Sequence, residues 1–337
     1  MARQKGGEGV SEGAPESAAG AARPISVTLV REVLRGVAQV DFMPSAVCGL
    51  LFVAALFAAG WPYGLYGLLG SAVSTAVGYA LGLRRETVEA GLAGYNGCLV
   101  ALGCAVFLGP GHPATVAVAV LGSAVAVVVA AGLGTLLEGR RLPALTAPFC
   151  LVATAVTVAA PGFRRLWHED AGPAALPVPA ALGGPGAEGA GLGWEQVWHG
   201  FLANIGQVFF MPQWYVGLLF LAGLFVASRL AGLVACGGSA TGLVTAWAFD
   251  APAEAVEQGL LGYSGVLVAL ALCGVFVVPD GWSAAYAVVG AATATVLTPA
   301  LDAISAPFGG HAFTWPFVLT TMLFLAAVPA IPRLRRA

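Results

Sequence analysis

Gln39-Val40-Asp41-Phe42-Met43-Pro44 is answered 168 residues later by Gln207-Val208-Phe209-Phe210-Met211-Pro212. The same spacing carries Glu86, Glu89, Gly91, Gly94, Tyr95, Gly97, Leu99 and Val100 onto Glu254, Glu257, Gly259, Gly262, Tyr263, Gly265, Leu267 and Val268. It also carries Thr146, Pro148 and Phe149 onto Thr314, Pro316 and Phe317. One constant shift over most of each half marks an internal duplication in register. In an apolar chain, such a duplication points to a membrane protein with its solute path on the pseudo-twofold axis between the copies.

Composition supports a membrane chain. Of 337 residues, 58% are hydrophobic and 9% charged, and mean hydropathy is +0.86. Soluble domains carry roughly a quarter charged residues. Long apolar stretches broken by Gly, Pro and Arg read as helical spans, an all-α polytopic fold. No basic block offers a site to nucleic acid. The cysteines (Cys48, Cys98, Cys104, Cys150, Cys236, Cys273) lie in apolar segments without zinc-type pairing and read as buried thiols. Residues 1–23, rich in Gly, Ala, Glu and Ser, read as a disordered tail and not a cleaved signal.

Hydropathy places spans near 45–60, 62–82, 88–109, 113–137 and 143–160, and again near 212–228, 230–249, 256–277, 283–300 and 312–331. A shorter, more polar stretch precedes each set, at about 25–39 and 194–207. Neither can cross about 30 Å of hydrocarbon. Each is expected to dip in and return, which requires burial in protein or a wet cavity. The Pro/Gly/Ala-rich stretch 161–193 reads as an extracytoplasmic linker, with a second re-entrant segment as the alternative. The domains are then 1–23 (tail), 24–160 (first repeat), 161–193 (linker), 194–332 (second repeat) and 333–337 (C-terminal tail).

Cations orient this arrangement. With five spans after each returning segment, Arg3, Lys5, Arg23, Arg31, Arg35, Arg84, Arg85, Arg140, Arg141, Arg229, Arg333, Arg335 and Arg336 share the face of the termini. Only Arg164 and Arg165 lie opposite, 2 of the 15 Lys and Arg. The positive-inside bias puts both termini in the cytoplasm. An odd number of spans per half makes the two repeats inverted relative to each other.

Little in the chain suggests an enzyme. His112, His168, His199 and His311 fall in loops, the linker or a segment entry, with no metal ligand at useful spacing. No nucleophile–base set, P-loop or dinucleotide fingerprint stands out. Coupled transporters place ionisable groups at midplane, whereas Glu86, Glu89, Asp250, Glu254 and Glu257 cluster at span ends. Glu86 and Glu254 read as helix-start charges favoured by the dipole; Glu89 and Glu257 are candidates for ordering the returning helices. This favours a passive route for an uncharged solute.

The polar and aromatic sets repeat. One comprises Gln39, Val40, Phe42, Tyr95, Leu99 and Thr146; the other comprises Gln207, Val208, Phe210, Tyr263, Leu267 and Thr314. Tyr95 and Leu99, like Tyr263 and Leu267, are one turn apart on a helix face. Thr146 and Thr314 each stand two residues before Pro, so a hydroxyl sits beside a helix interruption. Taken singly, these residues read as packing and interhelical hydrogen-bonding groups. Repetition of the whole set favours a path through the membrane.

At these residues the chain resembles the urea transporter family, over roughly 25–335. The resemblance rests on Gly-Leu-Ala-Gly-Tyr-Asn-Gly-Cys-Leu-Val (91–100) and its echo Gly-Leu-Leu-Gly-Tyr-Ser-Gly-Val-Leu-Val (259–268). It rests also on Leu-Thr-Ala-Pro-Phe (145–149) and Phe-Thr-Trp-Pro-Phe (313–317). It implies two inverted repeats, each of five transmembrane helices plus a tilted re-entrant pore helix, around one central pore. It further implies a homotrimer with one pore per subunit in the plasma (inner) membrane, surrounded by the lipid bilayer, without cofactor or metal. Urea would pass an outer slot of Phe210 and Tyr263 and an inner slot of Phe42 and Tyr95. Leu99 and Leu267 would narrow the path, and Thr146 and Thr314 would mark the constriction. Gln39 and Gln207, with backbone carbonyls near Val40 and Val208, would accept from urea N–H groups. Two residue types depart from the family's common pattern: family members often have Phe at the Tyr95 and Tyr263 positions, and some have Glu where Gln207 stands. A channel for ammonia or short amides is the alternative reading.

Overall fold

The computed structural model describes residues 25–166 and 192–337. The tail expected at 1–23 and most of the linker expected at 161–193 lie outside the described residues. Helices dominate, and the one β-type contact among the described residues is a lone bridge between Val277 and Arg336.

The first half contains α1 (Ile25–Ala38), α2 (Ala46–Ala59), α3 (Trp61–Ala80), α4 (Arg85–Glu89), α5 (Tyr95–Leu108), α6 (Pro113–Glu138) and α7 (Ala147–Ala159). The second contains α8 (Trp194–Gly206), α9 (Trp214–Ala227), α10 (Arg229–Ala248), α11 (Ala253–Glu257), α12 (Tyr263–Leu270), α13 (Gly281–Ser305) and α14 (Trp315–Ala327). Both ends of α2, α3, α4 and α7 reappear 168 residues on in α9, α10, α11 and α14. The repetition read in the sequence is therefore also a repetition of helix boundaries.

Among the described residues, three helical stretches are long and apolar enough to cross a membrane: Pro113–Glu138, Arg229–Ala248 and Gly281–Phe308. Their outward faces carry exposed Leu121 and Val128, Leu233 and Val244, and Val289 and Val296, a surface suited to lipid. The two short stretches ahead of each span set are helical and sharply bent. Val27–Asp41 meets Ala46–Ala59 at 77°, and Trp194–Phe209 meets Trp214–Ala227 at 73°.

Two pairs of expected spans start later than hydropathy suggests. The stretches near 88–109 and 256–277 become helical in earnest only at Tyr95 and Tyr263, after the short α4 and α11 and a turn. Gly91 (φ 84°) and Gly259 (φ 71°) make that turn. Their backbones lie so close to α1 and α8 that an added Cβ would fall 2.5 Å from the Arg35 carbonyl carbon and 2.4 Å from that of Ala203. The stretches near 143–160 and 312–331 begin at Ala147 and Trp315, each with Pro as its second residue. Proline fits the first turn, where its missing N–H has no partner to lose.

Hydrophobic burial gives little drive between helices already in lipid, so close backbone approach and interhelical hydrogen bonds carry more of the packing. The bent pairs use both. An added Cβ on Gly49 would sit 1.9 Å from Leu34 O, and on Gly217 2.0 Å from Leu202 O. Ser71 donates to Val33 O at 2.8 Å, and Ser239 donates to Phe201 O at 2.6 Å, the same bond in both halves. The halves join where α2 packs on α9. Phe52 meets Phe220 there at 4.9 Å, and Phe209 stacks on Phe220 at 4.4 Å.

Candidate transport site

Each bend is built by the repeated Gln-Val-x-Phe-Met-Pro phrase. A 3₁₀ turn, Gln39–Asp41 or Gln207–Phe209, closes the helix. Phe42 and Phe210 then adopt left-handed backbone, φ 64° and 63°. For a bulky L-residue that conformation costs roughly 1–2 kcal/mol. The N–H of Met43 turns back to Ala38 O, and that of Met211 to Gly206 O. Pro44 and Pro212 have no N–H to give. Among the described residues, the carbonyls of Val40 and Asp41, and of Val208 and Phe209, consequently receive no backbone donor. Free acceptors thus stand at both bends.

The two glutamines are anchored alike. Gln39 Nε2 donates to Ala90 O at 2.8 Å, and Gln207 Nε2 donates to Gln258 O at 2.9 Å. Each bond ties its amide to the backbone just before the turn at Gly91 or Gly259. The tyrosine hydroxyls are also committed: Tyr95 donates to Leu145 O at 2.6 Å, and Tyr263 donates to Phe313 O. Leu145 (φ 51°) and Phe313 (φ 43°) are themselves left-handed. They hold Thr146 and Thr314 at the starts of α7 and α14. There the two hydroxyl oxygens, one from each half, lie 2.6 Å apart and share a hydrogen bond.

The ring contacts cross between halves in a reciprocal pattern. Phe42 meets Phe317 at 6.1 Å, and Phe210 meets Phe149 at 5.9 Å. Phe149 and Phe317 are 168 apart, so one contact is the other with the halves exchanged. Self-complementary contact of this kind is what a twofold relation produces. Phe42 also meets Phe276 edge-on at 5.8 Å, while Phe210 meets Phe107 at 5.9 Å and Phe313 at 6.4 Å. Phe42 and Phe210 thus also pack against phenylalanines that the sequence reading did not select. Val40, Leu99, Val208 and Leu267 are buried, as are Gln207, Phe210 and Tyr263, whereas Phe42 and Tyr95 are half-buried.

The structure adds residues that sequence reasoning did not select. Phe149 and Phe317 stood inside the repeated Pro-Phe blocks, so a signal existed. Phe107, Phe276 and His311 have no counterpart in register. His311, read as a loop residue, stacks on Phe107 at 4.4 Å and flanks Phe313 at 5.6 Å. Asp41 is a buried carboxyl at the first bend whose oxygens find no hydrogen-bond partner among the described residues. Cys150 places its Sγ 3.1 Å from Thr314 Oγ1. Of the carboxylates that the sequence clusters at span ends, Glu257, the last residue of α11, pairs with His199 on α8 at 3.1 Å. At the corresponding place, Arg35 donates to the backbone carbonyl of Glu89 at 2.7 Å.

A family model described as urea transporter matches residues 30–329. This chain belongs to the urea transporter family. Curated relatives include urea transporter 1 of Ovis aries and of Capra hircus. Each is 27% identical over 319 residues, spanning 93% of this chain and 80% of the relative. Urea transporter 1 of Rattus norvegicus is 27% identical over 326 residues, with 93% of this chain and 81% of the relative covered. The family is one of transport proteins and not of enzymes.

Proposed function

We propose that this urea transporter family member conducts urea passively, through a filter formed where its two halves meet. The observation that carries the filter is the pairing of Thr146 with Thr314 across the halves, flanked on each side by the same set of bonds. Urea is flat, neutral and rich in N–H donors, so it needs oxygens along its edges as it sheds water. The uncommitted carbonyls at Val40, Asp41, Val208 and Phe209 and the anchored amides of Gln39 and Gln207 are suited to supply them. A buried N–H without a partner costs about 1–3 kcal/mol, so a gap in the series is a barrier. At the centre, urea replaces the Thr146–Thr314 bond with bonds to itself. Breaking one such bond costs about 0.5–1.5 kcal/mol net, small enough for rapid exchange. Contacts must also stay weak enough to release the solute.

In this reading, Phe42 and Tyr95 flank the inner part of the path, and Phe210 and Tyr263 the outer part. Leu99 and Leu267 narrow it. The halves, 24–160 and 194–332, are inverted in the membrane, each with five spans and a re-entrant pore helix corresponding to α1 and α8. Both termini face the cytoplasm, the chain sits in the plasma (inner) membrane, and three copies assemble with one path each. The segregation of cations to one face supports this orientation.

The test is a shrink–swell assay on reconstituted vesicles in a urea gradient without any ion gradient. Rapid, saturable or linear urea flux under those conditions is expected. Flux that appears only with a sodium or proton gradient would refute a passive path. Acetamide, thiourea and ammonia measured beside urea separate it from the alternative solutes.

A further inference from the structure

The constriction is not symmetric, and its asymmetry is chemical. Thr314 Oγ1 touches two polar partners, Thr146 Oγ1 at 2.6 Å and Cys150 Sγ at 3.1 Å. Cys150 lies on α7 one turn beyond Thr146, and its N–H donates to Thr146 O at 3.0 Å. The corresponding position of α14 is Val318, which has no polar atom to offer Thr146. All four side chains are buried.

The three groups form a chain, Cys150–Thr314–Thr146, with three protons and two links. If the thiol donates to Thr314 and Thr314 donates to Thr146, the Thr146 proton is left over and can meet a carbonyl oxygen. If the order reverses, Thr146 donates to Thr314 and Thr314 to sulfur, and Thr146 presents lone pairs that can meet an N–H. Hydroxyls and thiols both donate and accept, so the chain changes polarity by rotating hydrogens while every heavy atom stays in place. Urea carries a C=O at one end and N–H groups at the other, so a passing molecule asks for both polarities in turn.

We propose that Cys150 is a positioning residue of the constriction, serving as the reversible proton partner that lets Thr314 and Thr146 switch between donating to and accepting from the solute. This rests on the assignment of the threonine pair to the urea path. Valine at 150 is the residue that the corresponding position 318 already carries, and it leaves Thr314 with one partner, as Val318 leaves Thr146.

The experiment measures urea and water flux in vesicles for the wild type, Cys150→Val, Cys150→Ser, and Cys150→Val combined with Val318→Cys. Size-exclusion profiles check assembly. Cys150→Val is expected to slow urea about tenfold, the effect of one lost buried hydrogen bond, with water flux little changed. Cys150→Ser should retain urea flux, and the double variant should regain it by moving the thiol to the opposite threonine. In infrared difference spectra, the S–H band assigned by subtracting Cys150→Ser should shift when urea is added. Full urea flux in a well-assembled Cys150→Val protein, or an S–H band unmoved by urea, would overturn the role of Cys150. A wild type that moves no urea, or a Thr146→Val variant with full flux, would instead overturn the path on which the assignment rests.

Discussion

Thr146 and Thr314 were legible in the sequence because both copies kept them, and the structure brings them into contact. Thr146→Val or Thr314→Val keeps side-chain volume while removing one partner of a buried pair, at about 1–3 kcal/mol. Urea flux should fall roughly tenfold or more while the assembly peak on size exclusion stays unchanged. Full activity in both variants would remove threonine from the filter. Asp41 was not legible, for the opposite reason: its counterpart is Phe209, so a search for repeated residues passes over it. The relation that exchanges Phe52 and Phe220 carries Phe209, which packs on both rings, onto Asp41. A carboxyl there is buried without a hydrogen-bond partner among the described residues, which typically costs about 1–3 kcal/mol in proteins. Asp41→Leu should therefore raise the thermal unfolding midpoint. A lower midpoint would mean that the carboxyl has a stabilising partner in the folded protein.

At the level of helices, the bends at Pro44 and Pro212 were readable because proline and the residue types around it act locally. The late starts of α5, α7, α12 and α14 were not. Hydropathy runs unbroken through Gly91–Gly94 and Leu145–Thr146 because it measures polarity and is blind to a left-handed residue. The close approaches inside the bent pairs were equally hidden, since glycine in a helix looks alike whether or not another backbone lies against it. They make a firm prediction. Gly49→Ala would drive a methyl group to 1.9 Å from Leu34 O, and Gly217→Ala to 2.0 Å from Leu202 O. Either should sharply reduce the folded fraction recovered by size exclusion after detergent extraction. Gly237→Ala on α10, with nothing within 4 Å of the new methyl, should be tolerated and gain up to about 1 kcal/mol of helix propensity. Equal behaviour of the three variants would refute the close-approach account.

Across the whole molecule, the arginines were useful to sequence reasoning as a count of charges, which orients the chain but says nothing of hydrogen bonds. The C-terminal residues make contacts with both halves. Arg336 donates to Arg141 O at 2.5 Å and to Leu325 O at 2.6 Å, spanning the two halves. Ala337 N–H reaches Phe276 O at 3.0 Å, beside the ring that meets Phe42. Arg336→Ala should lower the thermal midpoint, corresponding to about 1–3 kcal/mol for charge-assisted bonds at a partly exposed site, as read by differential scanning fluorimetry. No change would mean that the strap contributes nothing to holding the halves together. The reciprocal contacts bear also on ancestry. Two identical copies of a single half, meeting as Thr146 meets Thr314, would carry the same residue on both sides of that contact, so that every mutation would strike twice. With both halves in one chain, each copy can carry its own residue, as Cys150 differs from Val318 and Asp41 from Phe209.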